Sequence, residues 1–495
     1  LYDGEKGNPY LDPDAILDKW KEILAQLQKH GKFEGNVYSF DIGQESKWGP
    51  QGGHQPIKQL MVDIVEPSFK LAMATQPRAF STKEWREAKR RTLKLLFAHR
   101  VANLRPVAYE HVVDDMSTRG TLESNSGYPD FARRSLPDVK ERAIRDARSG
   151  EWKTYPAIAL FRTYNGKTRL VWMFPMSANL VEGSYFQPLY QRIVNTDLSS
   201  GFFAPWKGFE QVRELVSSTY QSGNEIGASD FTSTDAHFQW ATSEQVCDVI
   251  EQCFQPQFRA GLRESVHRMH SIPLLVGPRR MMEGMHGVSS GSNWTNFIET
   301  IFDIILGYYV EILTKGGVRL LYAIGDDMAW VAKKFRESFK AELDDIGKSV
   351  GQIIKAEKTM VEADEVKTLQ RLFQRGYFQE SGTLLRGVYS TIRALKSSVY
   401  PERWHNPKSW DSDMFCARQF MILENCVDHP LFDEFVRFVC AGNRHLIPFA
   451  KQSRSKLGEI QGKAKLIPGL MVSYNQEKKT ESLADFASIR IAASL

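Results

Sequence analysis

VRLLYAIGDDMAWV, residues Val318–Val331, is the stretch on which the fold turns. Two apolar, strand-prone runs, Val318 to Ile324 and Met328 to Val331, flank Gly325, Asp326 and Asp327, a spacing that predicts a β-hairpin with glycine and the acids at its turn. Two carboxylates at the tip of an apolar hairpin need a reason. Upstream, Glu225 to Phe231 reads as a second short strand that reaches Asp230, and Asp235 follows at the start of a helix. Thr234 is the candidate N-cap of that helix, and Val246, Val249, Ile250, Cys253 and Phe254 repeat at three- and four-residue intervals along it. If the two strands are neighbours, Asp230 and Asp326 project toward a common point, where their repulsion is costly unless cations lie between them. Oxygen ligands without His or Cys suit Mg²⁺, and a pair of such ions is the recurring device of in-line phosphoryl transfer. Alone, G-D-D reads as an ordinary turn, and D-x-x-x-x-D is a weaker signal still.

Between the acidic sites lies GMHGVSSGSNWTNFIET, residues Gly284–Thr300, which runs into a helix expected from about Asn296 to Leu313. Gly284, Gly287 and Gly291 flank Ser289 and Ser290; glycines at a helix entrance let backbone approach a sugar or phosphate, although a capped helix start is the plainer reading. Upstream, FRTYNGKTRLVWMFP places Arg162, Lys167 and Arg169 around an Asn165–Gly166 turn. Such a hairpin either holds a triphosphate on alternate cationic side chains or is simply solvated.

The rest of the chain sets limits. At 495 residues it is too long for one small binding module, and its 42% hydrophobic and 25% charged residues are ordinary globular usage. A formal charge of +5 gives no overall field, so basic partners must be sought locally. Excesses occur between Phe131 and Leu170, ten Lys or Arg against four acids, and between Ala441 and Thr480, eight against two. Thr82 to Phe97 reads as a basic amphipathic helix, either a solvated face over a core stripe or a wall facing phosphates, and Asp14 to Leu27 as another helix. Five separated cysteines without a C-x-x-C pair argue against a zinc ribbon or a dense disulfide framework and suggest a reducing interior. No secretory signal is visible, and Phe297 to Leu313 is interrupted by Glu299, Asp303 and Glu311, so a soluble protein is expected. His237 and His286 lack metal-ligand spacing and are read as packed side chains. Beyond Pro401 the texture is helical to about Ala441, then loses periodicity around Gly458, Gly462, Pro468 and Gly469.

Taken in order, these segments resemble the motifs of viral RNA-dependent RNA polymerases, nearest to picobirnavirus enzymes and then partitivirus ones. SNSGYP at Ser124–Pro129 resembles the template-side motif G; Arg162, Lys167 and Arg169 resemble motif F; DFTSTD at Asp230–Asp235 resembles motif A. Ser290 and Gly291 with Thr295 resemble motif B, Gly325–Asp327 motif C, Lys358 motif D, and Leu372–Arg375 motif E. A full ordered set covering residues 118–375 is far less probable by chance than any member.

The resemblance implies an α+β closed right hand whose fingers, palm (antiparallel sheet plus helices) and thumb surround a channel. Residues 1–100 would form an N-terminal extension joining fingers and thumb, 101–220 the fingers, 221–255 the palm with motif A, 256–283 a fingers insertion, 284–380 the palm with motifs B to E, and 381–495 the thumb and C-terminal tail. It implies template-directed RNA synthesis from nucleoside triphosphates for a double-stranded RNA virus, able to start without a primer, with two Mg²⁺ ions for which Mn²⁺ can substitute. Asp230, Asp326 and Asp327 would be the metal and catalytic residues, with Lys358 beside the departing pyrophosphate and Lys355 its rival. Arg162, Lys167, Arg169, Asp235, Ser290, Gly291, Thr295 and Asn296 would bind the nucleotide, and Ser124, Asn125, Ser126 and Gly127 the template. The family's S-G-x-x-x-T-x-x-x-N ends here on Glu299, which leaves Asn296 as the candidate partner of Asp235 at the ribose. The basic tail from Lys456 to Lys479, with Tyr474, would fold back toward the channel to support initiation. Expected partners are RNA, nucleoside triphosphates and viral capsid protein, without a membrane, in the virion interior and host cytoplasm. A reverse transcriptase would carry an aromatic where Asp235 stands; a two-metal nuclease needs no such motif order; a silent RNA-binding virion protein needs no acids.

Overall fold

The computed structural model of the chain describes residues 12–53, 55–71, 76–402, 405–471 and 476–495. In chain order the strands of these residues are β1 (Ala157–Tyr164), β2 (Lys167–Met173), β3 (Glu225–Asp230), β4 (Leu274–Gly277), β5 (Arg280–Met282) and β6 (Arg319–Ile324). They continue with β7 (Asp327–Ala332), β8 (Met360–Glu362), β9 (Glu365–Thr368), β10 (Arg371–Gln374) and β11 (Val388–Tyr389). One sheet has the order β6-β7-β3-β8 and is antiparallel throughout. A second, β2-β1-β4-β5, carries the basic hairpin on one edge, with β1 and β4 parallel; a third, β11-β10-β9, is antiparallel.

Helix Trp294–Leu313 organises the interior. Every residue from Phe297 to Gly307 is buried, so this helix has no solvated face and belongs inside the molecule. It packs on β6 and on helix Lys83–Ala98. Gly307 permits the close approach to the sheet, since a Cβ there would lie 2.6 Å from that of Leu320. Among the described residues no helix is long and apolar enough to cross a membrane.

The Lys83–Ala98 helix takes the plainer of its two readings. Thr82 caps it by accepting from the Trp85 amide, and Trp85, Ala88, Thr92 and Leu96 are buried. Several of its cations are engaged within the protein: Lys89 bonds Asp248 at 2.8 Å, and Arg90 and Arg91 both reach Glu87. The first helix, Pro13–Leu24, buries Ile16, Leu17, Trp20 and Leu24. These pack into the same core as C-terminal residues such as Phe420, Phe435 and Ile489, so the two ends of the chain form one helical lobe. All five cysteines are buried.

Two expectations fail for identifiable reasons. Thr234 does not cap a long helix; it opens the short turn Thr234–His237, and the long helix starts only at Trp240. Phe238 breaks the run by turning inward, where it is fully buried against Phe302 with ring centroids 5.1 Å apart. The tail is also less irregular than its glycines suggest. Arg454–Lys465 is a helix capped by Ser453, and its buried positions Leu457, Ile460, Gln461 and Ala464 keep strict helical spacing around Gly458 and Gly462. Tyr474 lies outside the described residues.

Candidate active site

The hairpin read from the sequence is present, with a two-residue turn. Only Gly325 of the central pair takes positive φ (57°), the pattern of a II′ turn with glycine first. The Gly325 amide donates to Thr300 Oγ1 at 2.9 Å, which ties the turn to the central helix. Strands β3 and β7 pair directly, with Asp230 opposite Asp327, and the Phe231 amide donates to the Asp326 carbonyl at 3.2 Å. Three carboxylates from segments about a hundred residues apart therefore meet at one end of one sheet.

Their surroundings are unusual. By surface area Asp326, Asp327 and Asp235 are exposed and Asp230 half-exposed, yet all four are crowded by protein on most sides. The acids thus line a narrow recess, reached by solvent yet surrounded by protein. Crowding and mutual repulsion raise their proton affinity. Burial, then Asp326 and Asp230, pushes Asp327 up to about 7; burial, then Asp326, pushes Asp235 up to about 6, against the pull of Arg169. Asp230 is raised by burial and drawn back by Lys358, which places that lysine, rather than Lys355, beside the acids.

The donor set suits a hard divalent cation: three oxygen-bearing side chains, no thiolate or imidazole, and a charge surplus that a cation would relieve. Among the described residues no group of three such side chains stands at chelating distance.

The other expected residues are placed as follows. Hairpin β1–β2 turns at Asn165 and Gly166, both with positive φ (52° and 72°), as a I′ turn requires. Arg162 lies opposite Arg169, and Tyr164 opposite Lys167, so all four side chains share one face. Arg169 acts on both Asp235 and Asp326, whereas Arg162 is held by Glu402 and Lys167 stands at the far end near the turn.

In the loop before the central helix, Ser290 Oγ accepts from the Trp172 amide at 3.2 Å, and Thr295 Oγ1 donates to the Ser289 carbonyl at 2.6 Å. Gly287 and Gly291 serve protein packing, whereas a Cβ at Gly284 would meet nothing within 4 Å. A Cβ on Gly291 would lie 1.6 Å from the Trp172 carbonyl oxygen, and one on Gly287 1.7 Å from that of Asp235. Gly291→Ala is therefore expected to force the loop away from β2 and to cost about 1–3 kcal/mol, measured by denaturant unfolding; a variant as stable as the parent would remove this account of the loop.

Asn296 is fixed by Trp206, whose indole donates to its Oδ1 at 3.2 Å, and its amide nitrogen faces Gly325. The buried carboxyl nearest in charge to Asp235 is Glu299. Burial, then Asp235 and Asp326, raises it well above the usual carboxylate range. Asp303, one turn further on, is also fully buried and raised, and neither of its oxygens has a hydrogen-bond partner. His286 is buried with both ring nitrogens on backbone carbonyls, and His237 bonds its own turn.

On the template side, Ser124 and Asn125 are exposed, but Ser126 and Gly127 are buried. Asn125 Oδ1 accepts from the Gly127 amide at 2.8 Å, and Ser126 Oγ accepts from the Ala132 amide at 3.2 Å. These contacts shape the loop.

Sequence reading missed one connecting residue. Glu182, in helix Met176–Val194, accepts from Ser292 Oγ, from the Asn293 amide at 3.0 Å and from Asn179 Nδ2 at 2.8 Å. It thus anchors the loop that carries Ser290 and Gly291, and Asn179 links it to Arg134 beside the Ser124–Gly127 loop. The available signal was a single acid in the apolar run SANLVEG. Burial pushes Glu182 up to about 7 from an unfolded value near 4.5. The folded state then binds more protons than the unfolded one between those values, so stability falls as pH rises through that window. Glu182→Gln, which imitates the protonated form, is expected to flatten this fall; parallel melting curves of variant and parent from pH 5 to pH 8 would count against it.

Residues 164–382 match the family model described as viral RNA-dependent RNA polymerase. A curated relative from a human picobirnavirus, named potential RNA-dependent RNA polymerase, is 24% identical over 463 residues, spanning 87% of this chain and 80% of its own length. Two solved structures share the fold: the RNA-dependent RNA polymerase of a human picobirnavirus (TM-score 0.79, 21% identity) and its insertion-loop deletion mutant (0.78, 22%). Each alignment covers 100% of this chain and 92% of the other. With the acids gathered on one sheet, a family-model match across the segment that carries them and a relative matched along most of the chain, the protein is similar to the viral RNA-dependent RNA polymerases, those of picobirnaviruses among them.

Proposed function

We propose that the chain copies an RNA template by two-metal nucleotidyl transfer in a closed right hand, and that it does so for a double-stranded RNA virus and can start without a primer. The observation that carries the reading is the placement of Asp230 opposite Asp327 with Asp326 at the adjoining turn. Asp230, Asp326 and Asp327 would hold two Mg²⁺ ions, which when bound lower the pKa of an attacking 3′-hydroxyl and stabilise the leaving pyrophosphate. Arg169, facing the acids, orients the triphosphate by forked hydrogen bonds. Lys358, close to Asp230, neutralises the departing pyrophosphate or donates a proton to it. Ser124 and Asn125 present the exposed part of the template loop. Viral capsid protein is the proposed partner, and the virion interior and host cytoplasm the proposed location.

At the ribose, Asp235 takes the hydrogen bond from the sugar hydroxyls. Glu299, whose burial beside Asp235 and Asp326 favours the protonated form, would supply the donor in place of the Asn usual at this position in the family, while Asn296 braces the Gly325 turn. Glu299→Gln keeps a donor and is expected to preserve ribonucleotide preference; Glu299→Ala should lower it about tenfold, the weight of one hydrogen bond to a charged group. Competition between ribo- and deoxyribonucleotides reads both. Equal preference in the Ala variant would return the role to Asn296.

The defining experiment is incorporation of labelled nucleotide on a short RNA, with and without primer, in Mg²⁺ or Mn²⁺. Template-dependent product without primer supports the full reading; product with primer only removes the initiation claim, and none under any condition removes the reading itself.

A further inference from the structure

Two loops expected to hold different substrates, Ser124–Gly127 on the template side and Ser290–Gly291 on the nucleotide side, rest on the start of one helix, Met176–Val194. The Met176 amide donates to the Ser126 carbonyl at 2.8 Å, and a Cβ on Gly127 would lie 2.6 Å from the Phe174 carbonyl oxygen. One turn further along, Asn179 takes up the other loop. Its Nδ2 donates to the Gly291 carbonyl at 3.2 Å, and its own carbonyl accepts from Asn293 Nδ2 at 3.1 Å.

Arg134 joins the two. Its Nε donates to the Asn125 carbonyl at 3.0 Å and its Nη2 to Asn179 Oδ1 at 2.9 Å. Asn179 Nδ2 also donates to Glu182, the carboxyl that accepts from Ser292 Oγ and the Asn293 amide. An unbroken chain of hydrogen bonds thus runs from the backbone of Asn125, through Arg134 and Asn179, to the backbone of Gly291. Asn179 and Glu182 are each 2% exposed, so water does not readily replace a bond lost in the middle of the chain. Burial lowers the Arg134 pKa to about 10, with Glu182 acting against it, which leaves the guanidinium charged at neutral pH. The ends, by contrast, are open: Ser124, Asn125 and Ser290 are exposed. The chain begins and ends beside side chains that a substrate can reach.

We propose that Arg134 is a positioning residue for the copying reaction: its guanidinium holds the template loop and the nucleotide loop in register, so that a template seated on Ser124 and Asn125 firms the loop that receives the nucleotide. The residue type fits the task. A guanidinium is a planar fork whose donors keep a fixed angle, so a shift of one acceptor is passed to the other, whereas an ammonium is a point charge that swivels. The coupling is reciprocal, and nucleotide binding should tighten the template by the same factor. The assignment of substrates to the two loops rests on the polymerase reading; the mechanical link between them does not.

The test compares the full chain with its Arg134→Lys and Asn179→Ala variants. The first measurement, amide hydrogen exchange without RNA, needs no activity. Arg134→Lys is expected to speed exchange about tenfold at Gly127 and also at Asn293, which Arg134 does not touch, while amides of helix Lys83–Ala98 stay as they were. The second is steady-state incorporation with template binding followed by anisotropy. KM for the nucleotide and Kd for a short template RNA should each rise about tenfold in both variants, and the double variant should be no worse than Asn179→Ala alone, because the two residues act in series. A merely structural loss lowers the melting temperature and the active fraction but leaves KM and Kd unchanged. Faster exchange confined to Gly127, an unchanged KM or Kd in Arg134→Lys, or additive losses in the double variant overturn the proposal. Should Asn179→Ala not fold, Arg134→Lys decides by exchange at Asn293, KM and Kd. Failure of the polymerase reading would show in the parent, as no incorporation or as incorporation that survives Asp326→Asn, and exchange and Kd would then decide the link between the loops without it.

Discussion

Asp326→Asn is expected to lower nucleotide incorporation about a thousandfold or more, which corresponds to roughly 4 kcal/mol of lost transition-state stabilisation. The residue sits in the two-residue turn between β6 and β7, with its side chain open to the recess. Its backbone carbonyl, not its side chain, accepts from the Phe231 amide, so the substitution leaves the joint between β3 and the turn intact. What it removes is one negative charge from a set that crowding and repulsion already hold above the usual carboxylate range. Two results should therefore appear together. Catalysis collapses, because the cation-binding charge is gone; metal-free stability holds or rises, because Asp327 and Asp230 lose a repelling neighbour. A merely structural aspartate would give the opposite pattern, falling stability with activity reduced in proportion. Incorporation, thermal unfolding in EDTA and RNA retention on a filter, measured on one preparation, separate the two. Activity within tenfold of the parent would remove Asp326 from the chemistry.

What the sequence made legible was local. The apolar runs around Gly325 and Asn165–Gly166 carry their turn residues with them, because positive φ at a two-residue hairpin admits few side chains, and both hairpins stand where they were expected. Helix Trp294–Leu313 was legible as a helix, but not as one without a solvated face. Contacts between distant segments left weaker traces. Glycine at 287 and 291 reads equally well as room for a ligand or for a backbone, and only the fold shows carbonyls of Asp235 and Trp172 in that space. Glu182 and Asn296 were invisible as braces, since their partners lie about a hundred residues away in sequence. The Arg454–Lys465 helix was masked by two glycines whose low propensity is outweighed by four well-spaced core positions. In each case tertiary packing decided what local propensity left open.

The same logic makes Asp41 the residue whose loss should unfold the most. It lies in helix Lys32–Ile42, fully buried, while every partner belongs to the C-terminal lobe. Its two oxygens accept from Ser390 Oγ at 2.5 Å, the Thr391 amide at 3.2 Å, Thr391 Oγ1 at 2.6 Å, the Ile392 amide at 3.1 Å and His429 Nε2 at 2.9 Å. Burial alone would raise this carboxyl, but the bonds from His429, Ser390 and Thr391 outweigh it and hold it below the usual range. The bonds also supply an anion at the start of helix Thr391–Val399, where backbone amides lack partners of their own. Asp41→Ala strands two amides, two hydroxyls and an imidazole in the core, and should cost about 3–5 kcal/mol, the range for breaking a buried charged network. Asp41→Asn, nearly the same in shape, keeps an acceptor but presents an amide to donors that need none, and should recover only part of the loss. The depressed pKa fixes the sign with pH: this contribution is complete above the unfolded carboxylate value and is lost as acid protonates the folded state. Parent and Asp41→Ala should thus converge in stability as the solution is acidified below that unfolded value, while differing most near neutrality. Denaturant titrations near neutrality and below the unfolded carboxylate value test both the size and the slope. A gap that stays constant into acid would mean that Asp41 acts through its shape alone, and a gap under 1 kcal/mol at neutral pH would mean that the N-terminal segment is held to the C-terminal lobe by its apolar face, Trp20 foremost, and not by this carboxylate.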